Sequence, residues 1–141
     1  MTRLSNPDDE RWTTIAVMTT RLAMMTLDCA EVAPVAEFWS AFLGWTQVMG
    51  DGENYAMLAG PDGGAALGFG KVDHYRPPAW PNENGSKQFH FDVAVDDIHA
   101  AEARAIELGA APVDPQPGET WRVLRDPAGH PFCLTDAANW G

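Results

Sequence analysis

At 141 residues and 45% hydrophobic, the chain has room for one domain, or for two small repeats sharing one core. Its formal net charge of −11 argues against nucleic acid and anionic membrane surfaces as partners, since both would repel it. No apolar run reaches the length of a membrane span, and the two cysteines, Cys29 and Cys133, lack any zinc-type spacing.

Residues 1–11 are polar and acidic with no apolar signal core, which predicts a disordered leader on a cytoplasmic protein with reduced thiols. Residues 12–20 are β-prone and complete an N-terminal extension, 1–20, as either an extra edge strand or an arm onto a partner subunit. Residues 21–29 alternate as a strand, with Met25, Leu27 and Cys29 on one face and Met24, Thr26 and Asp28 on the other. A helix follows: Glu31 stands near its start, Pro34 sits in its first turn, and Gly44 ends it. Val35, Phe38, Trp39, Phe42 and Leu43 give that helix a buried stripe. Strands then fit residues 45–49, 54–58 and 65–71, separated by glycine-rich turns at 50–52 and 60–64. The unit at 21–71 therefore reads β-α-β-β-β.

Residues 72–87 break the pattern with prolines at 77, 78 and 81, and predict a linker or a functional flap carrying His74, Tyr75, Arg76 and Trp80. The same order then returns over residues 88–135. A strand over 89–95 places Phe91, Val93 and Val95 on one face, and His90, Asp92 and Ala94 on the other. A helix at 97–108 takes Asp97 as its N-cap and ends at Gly109. Strands fit 111–113, 120–125 and 131–135, leaving 136–141 as a tail.

The halves superpose at a shift of about 65 positions: Leu43-Gly44 falls on Leu108-Gly109, and the turn ending at Gly64 on the turn ending at Gly129. One extra residue in the connecting loop brings Met24 onto His90 and Leu27 onto Val93. A β-α-β-β-β unit used twice, with Phe38-Trp39, Leu43-Gly44-Trp45 and Asp126-Pro127-x-Gly129, resembles the vicinal oxygen chelate superfamily. Leu27-Asp28-Cys29-Ala30, His90-x-Asp92, the run from Pro117 to Leu124, and Phe132-Cys133-Leu134 are similar to its glyoxalase-like branch. That group includes glyoxalases, extradiol dioxygenases, bleomycin- and fosfomycin-resistance proteins, and epimerases. The resemblance covers residues 21–135 and implies an α+β fold of two βαβββ modules, the glyoxalase/bleomycin resistance/dihydroxybiphenyl dioxygenase fold. It also implies curved sheets enclosing a cavity, often completed by a homodimer.

Metal-dependent members of the superfamily hold a divalent ion with His or Glu on the first and last strands of each module. The resemblance carries those places onto Met24, Gly68, His90 and Cys133, of which only His90 is a family-typical ligand. The expectation is therefore no metal ligand set and no cofactor, with a divalent metal as the alternative. What remains is a pocket with His90 and Asp92 as a general acid/base pair, since imidazole titrates near neutrality and a carboxylate raises its pKa. Met24, Thr26, Asp28 and Cys133 join it as ligand-binding residues, with either Trp121 or Arg122, whose parity on their strand is open. Cys133 is either a nucleophile or small packing, and His130 and His99 read as surface residues. The function expected is capture of a small aromatic or drug-like molecule, independent of metal. The alternative is a glyoxalase-type lyase, isomerase or dioxygenase acting through His90.

Overall fold

The structure is a computed structural model, and it describes residues 20–82 and 85–140; the expectations for residues 1–19 lie outside them. Strand β1 (Met24–Cys29) leads to helix α1 (Val32–Leu43) and strands β2 (Thr46–Gly50), β3 (Tyr55–Ala59) and β4 (Ala66–Lys71). After the loop come β5 (Phe91–Val95), α2 (Ile98–Glu107), β6 (Ala111–Pro112), β7 (Arg122–Arg125) and β8 (Pro131–Asp136). Each module makes a four-stranded mixed sheet, ordered β1-β4-β3-β2 and β5-β8-β7-β6. The parallel pairs are β1 with β4 and β5 with β8; the other pairs are antiparallel. This is the α+β, two-module fold that the repeat implies.

Element ends differ from the sequence expectation for local reasons. The strand expected from residue 89 begins at Phe91, because its partner across the ladder starts at Pro131, which has no N–H to give. The strand expected from residue 21 begins at Met24, just after the Ala66 N–H bonds the Ala23 carbonyl. The tail forms a short 3-10 turn, Ala137–Trp140, with the Trp140 indole N–H donating to Thr135 Oγ1 at 2.9 Å.

Helix α1 buries Val32, Val35, Ala36, Phe38 and Trp39, and Gly44 ends it in the left-handed region at φ 71°. Helix α2 is capped by Asp97, whose carboxylate accepts the Ala100 N–H at 3.0 Å. The aromatic stripe of α1 packs on the second module as well as its own. Trp39 meets Phe91 and Phe132 edge-on at 5.5 and 4.9 Å, and Phe38 lies 5.8 Å from Phe132. One core therefore joins the modules, each buried aromatic contributing about 1.5–3 kcal/mol.

The seam carries a buried polar bond. The Trp39 indole N–H donates to Asp126 Oδ2 at 2.8 Å, while Asp126 Oδ1 accepts the Ala128 and His130 amides at 2.9 Å each. His130, expected at the surface, is half-buried here. Its Nε2 lies 2.7 Å from the Asp28 carbonyl and 3.2 Å from the Tyr75 hydroxyl, which itself donates to the Ala128 carbonyl at 2.8 Å. The turn motif Asp126-Pro127-x-Gly129 thus ties β1 and the 72–87 loop to the second sheet.

Candidate ligand cleft and the His90, Asp92 and Cys133 cluster

The face of each sheet that packs on helices is apolar, so the residues of alternate parity stand on the other, helix-free face. On the first sheet that face carries Met24, Thr26 and Asp28, paired in register with Ala66, Gly68 and Gly70. On the second it carries Asp92 and Ala94, with His90 one residue before β5; Asp92 lies opposite Cys133, and Cys133 opposite Val123.

Three donors converge on the second face. His90 Nε2 and Asp92 Oδ1 are 3.6 Å apart, with side chains 38% and 41% exposed. Ligand atoms of His90, Asp92 and Cys133 all fall within 4.8 Å of one another. Cys133 is buried against Val113, Val123 and Trp80. Burial first, then the charge and hydrogen bond of Asp92, push its thiol up to about 11 against the opposing pull of Lys87. It is a protonated thiol at neutral pH, which fits packing rather than nucleophilic attack.

Trp80 comes from the 72–87 loop, so the part of the loop around Trp80 packs on the second sheet. Arg125 Nη2 donates to the Trp80 carbonyl at 3.2 Å, and the Lys87 ammonium sits 4.3 Å from the Trp80 ring centre.

The alternation left open between Trp121 and Arg122 is resolved by register. Arg122 pairs with core residue Leu134, and its Nε donates to Glu102 of α2 at 2.5 Å, on the helix side of the sheet. The structure therefore sets Arg122 apart from His90 and Asp92, committed to a helix–sheet ion pair. Trp121 is of opposite parity and is 37% exposed. A Cβ at Gly118 would overlap its indole, so the glycine makes room for that ring.

An open cleft of about 1190 Å³ runs between β1 and β5, which are edge strands of separate sheets. Its walls are mostly apolar, with Met25, Leu27, Leu43 and Trp45 among them; Thr26, His90 and Asp92 supply polar groups. Of the expected site residues, Thr26, His90 and Asp92 share this cleft; Met24, Asp28, Trp121, Arg122 and Cys133 do not line it. Sequence reasoning missed Trp45, although its place directly after the Gly44 cap was a usable signal. Its indole covers Gly60, where a Cβ would come within 2.9 Å.

The metal positions implied by the resemblance can be tested against this geometry. A Cβ at Gly68 would lie 2.7 Å from Met24 Sδ and 3.1 Å from Thr26 Oγ1, so the methionine occupies the space of a side chain at 68. The first module then offers a thioether and no side chain where a family metal shell would need two His or Glu ligands. The four-position shell does not fit this chain.

The fold and the residues of the cleft point to one class of protein, and the comparisons specify it. The Glyoxalase-like domain family matches residues 24–135, and the chain belongs to that family. A search of curated proteins finds no match. Among solved structures, a possible glyoxalase from Bacillus cereus is 19% identical with a TM-score of 0.61, covering 84% of this chain and 99% of that one. The bleomycin-binding protein of Streptomyces verticillus, complexed with copper(II)-bleomycin, is 20% identical with a TM-score of 0.51, covering 84% and 98%. The trypanothione-dependent glyoxalase I of Leishmania major is 14% identical with a TM-score of 0.59, covering 86% and 90%. At these identities the likeness is one of fold.

Proposed function

We propose that this protein captures a small aromatic or drug-like molecule in the cleft between β1 and β5, and that capture needs no metal ion. The observation that carries the reading is the cleft itself, whose volume of about 1190 Å³ and apolar walls suit a compact organic ligand. Met25 adapts to irregular shapes, and Trp45 offers a flat aromatic surface. His90 and Asp92 orient the ligand from the polar side. The filled space at Gly68 supports independence from metal, and the bleomycin-binding neighbour shows that this fold can hold a drug.

The protein acts in this proposal as a cytoplasmic homodimer. Met24, Met49 and Tyr55, 41%, 56% and 47% exposed, give one sheet an apolar face that a second copy covers. Both cysteines of the chain are free, which suits a reducing compartment. No described helix is long and apolar enough to cross a membrane.

A second reading rests on His90 and Asp92 lying together at the cleft: a lyase or isomerase in which His90 moves a proton on a bound substrate. His90→Ala separates the two. A binding protein keeps most of its affinity for an aromatic probe, whereas an enzyme loses turnover; loss of affinity by more than roughly 100-fold, about 2.7 kcal/mol, would contradict the capture reading.

A further inference from the structure

We propose that the ligand of the cleft is an organic cation, a planar aromatic body carrying an ammonium group, with the ammonium seated against Trp45 and Asp62. This rests on the capture reading and narrows it to one class of ligand. The charged lining of the cleft is Asp62, from the turn between β3 and β4, and Asp92, from β5, with the imidazole of His90 beside it. Among the described residues, no lysine or arginine lines it. Even with His90 protonated, two carboxylates against one imidazolium leave the lining negative. A cleft of one charge sign between apolar walls focuses the field at its mouth, and the net charge of −11 extends that field outward. An anion is repelled on approach, a neutral ligand gains nothing from these charges, and a cation is drawn in.

The seat for the charge lies on the first module. Asp62 Oδ1 accepts the Gly64 N–H at 3.1 Å, which orients the carboxylate, while its Oδ2 accepts no bond among the described residues. The Trp45 indole covers Gly60, two positions before Asp62 in the same turn, and both Trp45 and Asp62 line the cleft. An aromatic face next to a carboxylate suits an ammonium group: the ring quadrupole attracts the charge and the carboxylate balances it. His90 and Asp92 stand on the other module, so the seat does not draw on the pair that orients the ligand from the opposite wall. Met25, Leu27 and Leu43 remain for the aromatic body.

The test is calorimetric titration of the full chain with three probes on one naphthalene ring: a trimethylammonium arm, its neutral tert-butyl isostere, and a carboxylate arm. The ammonium probe should bind at least 10-fold more tightly than the isostere, and the carboxylate probe more weakly than either. The preference should shrink as salt rises from about 0.01 M to about 0.5 M, while binding of the isostere holds. Asp62→Asn, at an exposed turn position, should keep the fold by circular dichroism, cut the preference at least 3-fold and leave the isostere unchanged. Glu107→Gln removes the same charge from the exposed side of α2, outside the cleft, and should leave the preference intact. Equal, saturable binding of the ammonium probe and its isostere would overturn the cation assignment and leave capture standing. So would a preference that survives Asp62→Asn or falls equally in Glu107→Gln. Failure of all three probes to saturate would overturn both.

Discussion

The bond between Trp39 and Asp126 joins residues 87 positions apart, one from each module, and should stabilise the seam measurably. Trp39→Phe keeps an aromatic ring beside Phe91 and Phe132 but removes the indole N–H and the outer ring atoms. A buried oxygen left without its donor costs about 1–3 kcal/mol. The space vacated by the lost ring atoms adds about 1 kcal/mol more. The expected loss is therefore about 2–4 kcal/mol, a large part of the roughly 5–15 kcal/mol that holds a domain folded. Urea unfolding followed by circular dichroism measures it, with the slope against urea unchanged if only stability has altered. Combining the variant with Asp126→Ala, which removes the acceptor, in a double-mutant cycle should show coupling of at least about 1 kcal/mol. A loss below about 1 kcal/mol for Trp39→Phe, or coupling near zero, would refute the role given to this bond.

Asp126 also makes a prediction in pH. Burial raises its carboxyl pKa despite opposing hydrogen bonds from Trp39, His130 and Ala128 and the charge of His130. The fold thus binds that proton more tightly than the unfolded chain, so the contribution is complete below about pH 4 and is lost as pH rises through the folded value. Asp126→Asn, always neutral, should flatten that decline when unfolding is followed from about pH 4 upward; a steeper decline would reverse the sign of the argument. Gly68→Ala should cost about 1 kcal/mol, because its Cβ meets Met24 Sδ at 2.7 Å and the exposed methionine can swing aside; adding Met24→Ala should recover most of the loss in thermal unfolding. Asp97→Ala should cost about 1 kcal/mol by uncapping α2, read in the same assay. Trp45→Ala should weaken binding of an aromatic probe roughly 10-fold, about 1.4 kcal/mol, with the fold retained by circular dichroism.

The repeat was legible because it is written in features local to the chain. The stripe Val35, Phe38, Trp39, Phe42 and the end signal Gly44 needed only helical spacing, and Asp97 needed only its position before α2. The alternation of Asp92 against Phe91 and Val93 agrees with the register of β5, which sets Asp92 opposite Cys133. What depended on contacts distant in sequence was hidden. Nothing local marks Trp39 as the donor to Asp126, or His130 as a partner of Asp28 and Tyr75. The parity of Arg122 required the β7 register, and its pairing with Glu102 required the path of α2. Nor does the sequence of the 72–87 loop reveal that Trp80 packs on Cys133, because prolines there exclude regular structure without fixing where the chain goes. Met24 over Gly68 was half visible: the residue types showed that donors were missing, while only the structure shows the space to be filled.

The claim at the centre of this account is that the cleft holds an organic ligand without help from an ion. Tryptophan fluorescence of the full chain, titrated with a panel of planar aromatic compounds with and without excess chelator, tests it directly, since Trp39 and Trp45 line the cleft. The account predicts saturable quenching by at least one compound, with the same Kd in both conditions and a weaker one in Trp45→Ala. Quenching that never saturates across the panel, or saturable binding that vanishes with chelator, would contradict it.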